Sequence, residues 1–139
     1  MSPLQKLAWY NLSIGVLIVV LYAVAAPLLG PEAALGVTGL GGFWGIGGRL
    51  CYGTWRGEVR HDEREALVQK NAALAAWAAS WLYFVLICMV PWALMHYVWH
   101  QDRISVEVLP WILMGGFIVF MLAQSVAVLA QLGWRSQDA

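Results

Sequence analysis

The chain has 139 residues, of which 61% are apolar and only 12% are charged. Eight Lys and Arg balance eight Asp and Glu, so the basic excess that binds nucleic acid by counterion release is missing. This composition excludes an ordinary soluble domain and a nucleic-acid-binding protein. It indicates a protein whose main solvent is the lipid bilayer.

Four stretches of the sequence are apolar enough to cross a bilayer, which takes about 20 residues of helix. They run from about 7 to 29, from 33 to 55, from 72 to 99 and from 108 to 134. The second stretch is diluted by glycine but carries no charge between Ala33 and Gly48. Because a backbone in lipid must satisfy its own hydrogen bonds, we expect a helix there too. The sequence therefore predicts an all-α protein, a single transmembrane domain of four helices.

The basic residues predict the orientation, because short cytoplasmic segments retain Lys and Arg. Only Arg103 falls on the far side of the predicted bilayer. The other seven share one side: Lys6, Arg49, Arg56, Arg60, Arg64, Lys70 and Arg135. We therefore expect both termini in the cytoplasm, with the protein in the inner membrane of a bacterium.

The short connections at residues 30–32 and 101–107 predict two antiparallel helix pairs, joined by a longer middle segment. Close helix packing in lipid depends on small residues, and two sets occur at helical spacing. One set in the second span is Gly41, Gly45 and Gly48, and one in the third is Ala72, Ala76 and Ser80. We expect these two faces to meet, within one chain or between two copies of it, although an apolar helix rich in Gly and Ala also shows such spacings by chance. In the fourth span, Gln124 and Ser125 are expected to face protein.

A dense charge cluster precedes the third span and includes Asp62, Glu63, Arg64 and Glu65. Its structural interpretation is a helix start, with Asp62 and Glu65 as a capping box and carboxylates at the positive end of the helix dipole. Its functional interpretation is a cytoplasmic docking or ligand patch. The sequence leaves both open.

The same residues resemble a known family. Asp62, Glu63 and Arg64, followed by Leu67, Lys70 and Ala72 at the start of an apolar helix, are similar to a motif of short bacterial and archaeal membrane proteins of unknown function. In that family an Asp-Glu-Arg motif lies between pairs of spans. The resemblance implies a four-helix membrane protein with this motif in the cytoplasm, and it implies no activity.

His96 and His100 lie four residues apart near the outer end of the third span, so both can project from one helix face. Such a pair can chelate a divalent metal, with Asp102 or Glu107 completing the ligand set. It can also ligate a haem or a pigment that packs against flanking tryptophans. The plainer interpretation is two interfacial histidines hydrogen-bonded to loop carbonyls or water.

The sequence offers no catalytic constellation. No carboxylate lies in the middle of a span, which argues against a proton-coupled transporter, and there is no Cys-x-x-Cys motif. We therefore predict a non-catalytic accessory, assembly or stabilising subunit that contacts lipid and other membrane subunits or further copies of itself. The alternatives are a metal-, haem- or pigment-binding accessory protein and, less favoured, a small channel or carrier lined by Gly41, Gly45 and Gln124.

Overall fold

The computed structural model describes residues 2–52, 63–100, 105–106 and 108–133. Within these ranges the chain is almost entirely helical, and no strand occurs in them. The α-helices in chain order are α1 (Pro3–Leu29), α2 (Pro31–Ala34), α3 (Trp44–Tyr52), α4 (Glu63–Phe84), α5 (Val90–Leu94) and α6 (Val108–Leu132). A 3₁₀ segment and two π segments connect some of them: Leu35–Phe43, Val85–Met89 and Met95–Trp99.

Helix α1 has well-defined signals at both ends. The Ser2 hydroxyl accepts a hydrogen bond from the Gln5 backbone N–H at 3.2 Å, and Pro3 occupies the first turn, where a missing N–H costs nothing. Gly30 ends the helix with φ of +89°, a conformation that glycine adopts without strain. The chain then turns directly into α2.

The segment from Pro31 to Tyr52 is continuous but not a uniform α-helix. Its glycine-rich middle, Leu35–Phe43, is a 3₁₀ helix, and the sequence had predicted one span over 33–55. Glycine has low α-helix propensity, and the Thr38 hydroxyl donates to the Leu35 carbonyl at 2.6 Å inside this tighter coil. The segment runs back along α1 and packs against it.

The third helical region is a rod over residues 63–99, made of α4, α5 and the two π segments. It has 37 residues and is about 55 Å long at 1.5 Å per residue. Pro91, which has no N–H to donate, lies in α5 directly after the first π segment. The rod ends at His100, which adopts the left-handed conformation with φ of 51°.

Helix α6 is the common partner of α4 and α1. One cluster of buried residues joins the start of α1, the start of α4 and the end of α6. Its members are Leu4, Ala8, Val68, Ala72, Val128 and Leu129. Three helix ends therefore meet at one end of the bundle.

The antiparallel register of α4 and α6 follows from two pairs of residues. The Ser80 hydroxyl donates to the Gly116 carbonyl at 3.4 Å, and twelve residues away on each helix Val68 shares the buried cluster with Val128. This register places Val108, the first residue of α6, at the level of Cys88. Residues 89–99 of the rod therefore continue for about 16 Å beyond that level.

Three helices are long and apolar enough to cross a membrane by length and composition: Pro3–Leu29, Glu63–Trp99 and Val108–Leu132. The prediction of an all-α protein with membrane-spanning helices is confirmed to that extent. The glycine-rich second segment is absent from this set because its α-helical pieces are only 4 and 9 residues long.

Candidate functional site

A small, partly open cavity lies where α1, α4 and α6 come together near the shared end of the bundle. Its volume is about 30 Å³, and its polar lining residues come from all three helices: Asn11, Gln69, Gln124 and Ser125. Apolar side chains supply the rest of the lining: Leu4, Leu7, Ala8 and Val128. Gln69 is exposed, so the cavity opens at the surface of the bundle.

Hydrogen bonding in this cavity is incomplete. Ser125 is 2% exposed, and its hydroxyl donates to the Met121 carbonyl at 2.8 Å, which leaves its oxygen able to accept. The Asn11 side-chain oxygen Oδ1 is buried and accepts no hydrogen bond from the residues that the structure describes. Buried polar atoms of this kind are uncommon and call for a partner.

Asn11 is held in place by a contact on its backbone. The indole N–H of Trp44 donates to the Asn11 backbone carbonyl at 3.0 Å, and Trp44 is itself buried against the ring of Phe117. At the preceding residue the Tyr10 hydroxyl donates to the Phe43 carbonyl at 3.1 Å. The second segment therefore fixes the part of α1 that presents Asn11 to the cavity.

The two predicted sets of small residues are not brought together. Ala72, Ala76 and Ser80 are buried, but their helix packs against α6, whereas the second segment packs against α1. Gly41 is half-buried beside Trp44, and nothing lies within 4 Å of a Cβ added at Gly45. Gly48 lies in α3. Small residues allow close approach but do not specify the neighbour.

A different glycine face of the second segment is open. Gly36, Gly39 and Gly42 recur every three residues, which aligns them on one side of a 3₁₀ helix with three residues per turn. Gly45 continues the spacing into α3. All four are exposed, and a Cβ added at any of them meets nothing within 4 Å. We call these four residues the glycine face.

The charge cluster is only partly described. Asp62 lies outside the described residues, so the predicted capping box is not visible. Glu63 and Glu65 occupy the first turn of α4, where carboxylates interact favourably with the positive end of the helix dipole. Glu63 and Arg64 are exposed and Glu65 is half-buried. These residues therefore begin the rod, close to the shared end of the bundle.

His96 and His100 lie at the opposite end, in the last turns of the rod. The His96 ring stacks on Trp92 with centroids 5.6 Å apart and planes at 5°, and Tyr97 meets it edge-on at 4.9 Å. Within the described ranges no group of three or more His, Cys, Asp or Glu side chains is placed to hold a metal. The proposed additional ligands, Asp102 and Glu107, lie outside the described residues.

The lining suggested for a channel is dispersed. Gln124 lines the partly open cavity, Gly41 lies beside the aromatic rings of Trp44 and Phe117, and Gly45 belongs to the open glycine face. The structure thus gives these three residues different surroundings.

Sequence reasoning placed Gln124 and Ser125 on a protein-facing side but missed Asn11 and Gln69. The usable signal was Asn11 itself, an amide in an otherwise apolar stretch, since polar side chains within membrane helices face protein or a cavity. Comparison with models of known protein families, with curated proteins and with solved structures finds no match.

Proposed function

We propose that this chain crosses the membrane four times and acts as a non-catalytic accessory or assembly subunit of a larger membrane complex. The observation that carries the four crossings is the cluster joining the starts of α1 and α4 to the end of α6. If these three helix ends lie at one face of the membrane, the other end of α1, at Leu29, lies at the opposite face. Residues 30–62 must then return across the bilayer before α4 begins.

The contacts of the second segment support this return. It begins beside Gly30, at the far end of α1, and by Phe43 and Trp44 it has reached the level of Tyr10 and Asn11. Its residues 31–52 extend about 37 Å, because 3₁₀ residues rise about 2.0 Å each against 1.5 Å in an α-helix. That length exceeds the roughly 30 Å of hydrocarbon in a bilayer.

Charge supports a cytoplasmic position for the shared end of the bundle. Lys6, Arg64 and Lys70 lie in the early turns of α1 and α4, whereas Glu32 lies at the opposite end of α1. Basic residues concentrate on the cytoplasmic side of short-looped membrane proteins. We therefore place both termini in the cytoplasm, with the protein in a bacterial inner membrane.

The accessory role is supported by the glycine face. Glycine lowers helix stability and offers lipid no side chain to pack against, so four exposed glycines in register are best explained by a closely approaching helix. Another integral subunit or a second copy of the chain can supply that helix.

The topology is tested by fusing a periplasm-active phosphatase or a cytoplasm-active fluorescent protein after Gly30, Tyr52 or Gly133. We expect phosphatase activity only for the fusion after Gly30, and fluorescence for the other two. A phosphatase signal after Tyr52 would contradict the fourth crossing, since the second segment would then remain on the outer side.

The accessory role is tested on the native membrane by mild-detergent purification of Gly39→Leu and Gly42→Leu variants. We expect each variant to retain its folded state but to lose at least about tenfold of the co-purified partner, because leucine prevents close helix approach. Ala75→Leu, at an exposed position on α4, is the matched control and should retain the partner. A monodisperse wild-type monomer without any partner would contradict the proposal.

A further inference from the structure

Two tryptophans of α4 lie at an unusual depth for this residue type. Trp77 and Trp81 are each 66% exposed, and they follow Lys70, the last charged residue before them, by about 10 Å and about 16 Å along the helix. That depth is near the middle of the roughly 30 Å of hydrocarbon. Tryptophan in membrane proteins concentrates instead at the two interfaces with water. An exposed pair so deep in the hydrocarbon therefore indicates a protein neighbour.

The tryptophans belong to a larger apolar surface on the side of α4 opposite its buried residues. Helical spacing aligns five exposed side chains there, which we call the outward face: Leu67, Leu74, Trp77, Trp81 and Val85. With their exposed fractions of 40–66%, they expose on the order of 700 Å² together, and one partner in a standard stable interface contributes about 800 Å². The outward face is therefore large enough for a stable contact between two proteins.

We propose that the outward face of one copy of this chain packs on the glycine face of a second copy. The proposal rests on the docking role proposed above for the glycine face, and it names the partner. Within one chain the two faces do not meet, because α4 packs on α6 whereas the second segment packs on α1. A contact between them must therefore join different copies.

The two faces lie at the same depth in the membrane. In the antiparallel register of α4 and α6, Phe117 lies opposite residue 79, midway between the two tryptophans. The Phe117 ring also contacts the Trp44 ring, with centroids 5.2 Å apart. Gly42 and Gly45 flank Trp44 in the sequence. Copies inserted with the same orientation therefore present tryptophans and exposed glycines to one another at one level.

The two faces also agree in spacing and in shape. Four residues of α-helix, the separation of Trp77 and Trp81, rise about 6 Å, and so do the three residues of 3₁₀ helix that separate Gly39 and Gly42. Each large indole can therefore lie against one glycine, where no side chain prevents close approach. Glycine also leaves the backbone carbonyls accessible, and the second lone pair of a carbonyl can accept from an indole N–H.

The contact is head-to-tail, because each copy contributes a different face, and such contacts form rings when their rotation closes. This asymmetry provides the test, in which native mass spectrometry counts the copies in protein extracted together with its surrounding lipid. Gly42→Leu fills the glycine face, and the double variant Trp77→Ala, Trp81→Ala removes the indoles. We expect an oligomer for the wild type and at least about a tenfold smaller oligomer fraction for each variant alone. Trp99→Ala, a control at a tryptophan that is 63% exposed outside the outward face, should leave the oligomer intact.

The decisive sample contains both defective proteins, co-expressed with different tags. The Gly42→Leu copy retains its tryptophans and the double variant retains its glycine face, so we expect them to form a one-to-one dimer that grows no further. Both substitutions are at exposed positions, and a Cβ at Gly42 meets nothing within 4 Å in the chain. Circular dichroism should therefore show the wild-type helix content in each variant.

Three results would overturn the proposal. One is a wild-type oligomer that the tryptophan double variant leaves intact, and another is the failure of the two defective proteins to form the dimer. The third is a wild-type chain that binds a different protein but no second copy, which would leave the accessory role standing. A wild-type monomer without any partner would overturn both proposals.

Discussion

The two halves of the long rod differ in packing although both are apolar. In the half formed by α4, every fourth residue from Val68 to Ser80 is buried against the bundle. In residues 85–99 no residue is buried, and large side chains such as Trp92 and Trp99 are exposed. The comparison indicates that, among the described helices, a regular series of mostly small residues favours close packing more than hydrophobicity alone does.

The largest expected effect comes from filling the close contact between α4 and α6. A Cβ at Gly116 would lie 2.5 Å from the Phe84 ring, so Gly116→Leu is expected to lower the free energy of unfolding by about 3 kcal/mol through overpacking. Denaturant titration in detergent micelles measures this change. Ala78→Leu, at an exposed position on α4, is the control, and an equal loss in both variants would contradict the packed interface.

A change of intermediate size in the free energy of unfolding is expected when two valines of the rod are replaced and compared. Val68 is 6% exposed and Val90 is 48% exposed. Val68→Ala should lower the free energy of unfolding by about 1 kcal/mol, because packed contacts are lost. Val90→Ala should change it by less than about 0.5 kcal/mol, as expected for an exposed position. Equal losses, measured by the same titration, would mean that residues 85–99 are packed after all.

The smallest effect concerns a single hydrogen bond. Removing the Ser80 hydroxyl, which donates to the Gly116 carbonyl, should cost about 0.6 kcal/mol, the average for such bonds between membrane helices. Ser80→Ala is compared with Ser13→Ala, whose exposed hydroxyl bonds only within its own helix. Thermal unfolding followed by circular dichroism measures both. A larger loss from Ser13→Ala would argue against the α4 and α6 register.

Hydropathy located the helices well but not all of their limits. By hydropathy the third span begins at residue 72, whereas the helix begins at Glu63, where the structural interpretation of the charge cluster expects a helix start. In the second span the abundant glycines were recognised, but their three-residue spacing and the 3₁₀ geometry it favours were not. The spacing of the glycines determines which of them share a face of the helix. It is therefore more informative about the local geometry than the number of glycines is.

The candidate site was harder to predict than the fold. Ser125 was expected to face protein and is buried, but Asn11 and Gln69 lie 58 residues apart in the chain, so their proximity depends on how three helices pack. Within one chain the glycines of the second span do not meet the small residues of α4, for the same reason. Small residues in either helix allow another helix to approach closely, but they do not say which helix it is. In the structure the neighbour of α4 is α6.

The Gln5 side chain is 4% exposed, and its amide Nε2 donates to the Gly133 carbonyl at 2.6 Å. This bond joins the first turn of α1 to Gly133, the residue that follows α6. The start of the first helix and the end of the last helix are therefore held side by side. Helix ends held this near one another are good places for covalent joining. A circularly permuted form, with Gly133 linked to Ser2 and new ends within residues 53–62, is therefore a natural design.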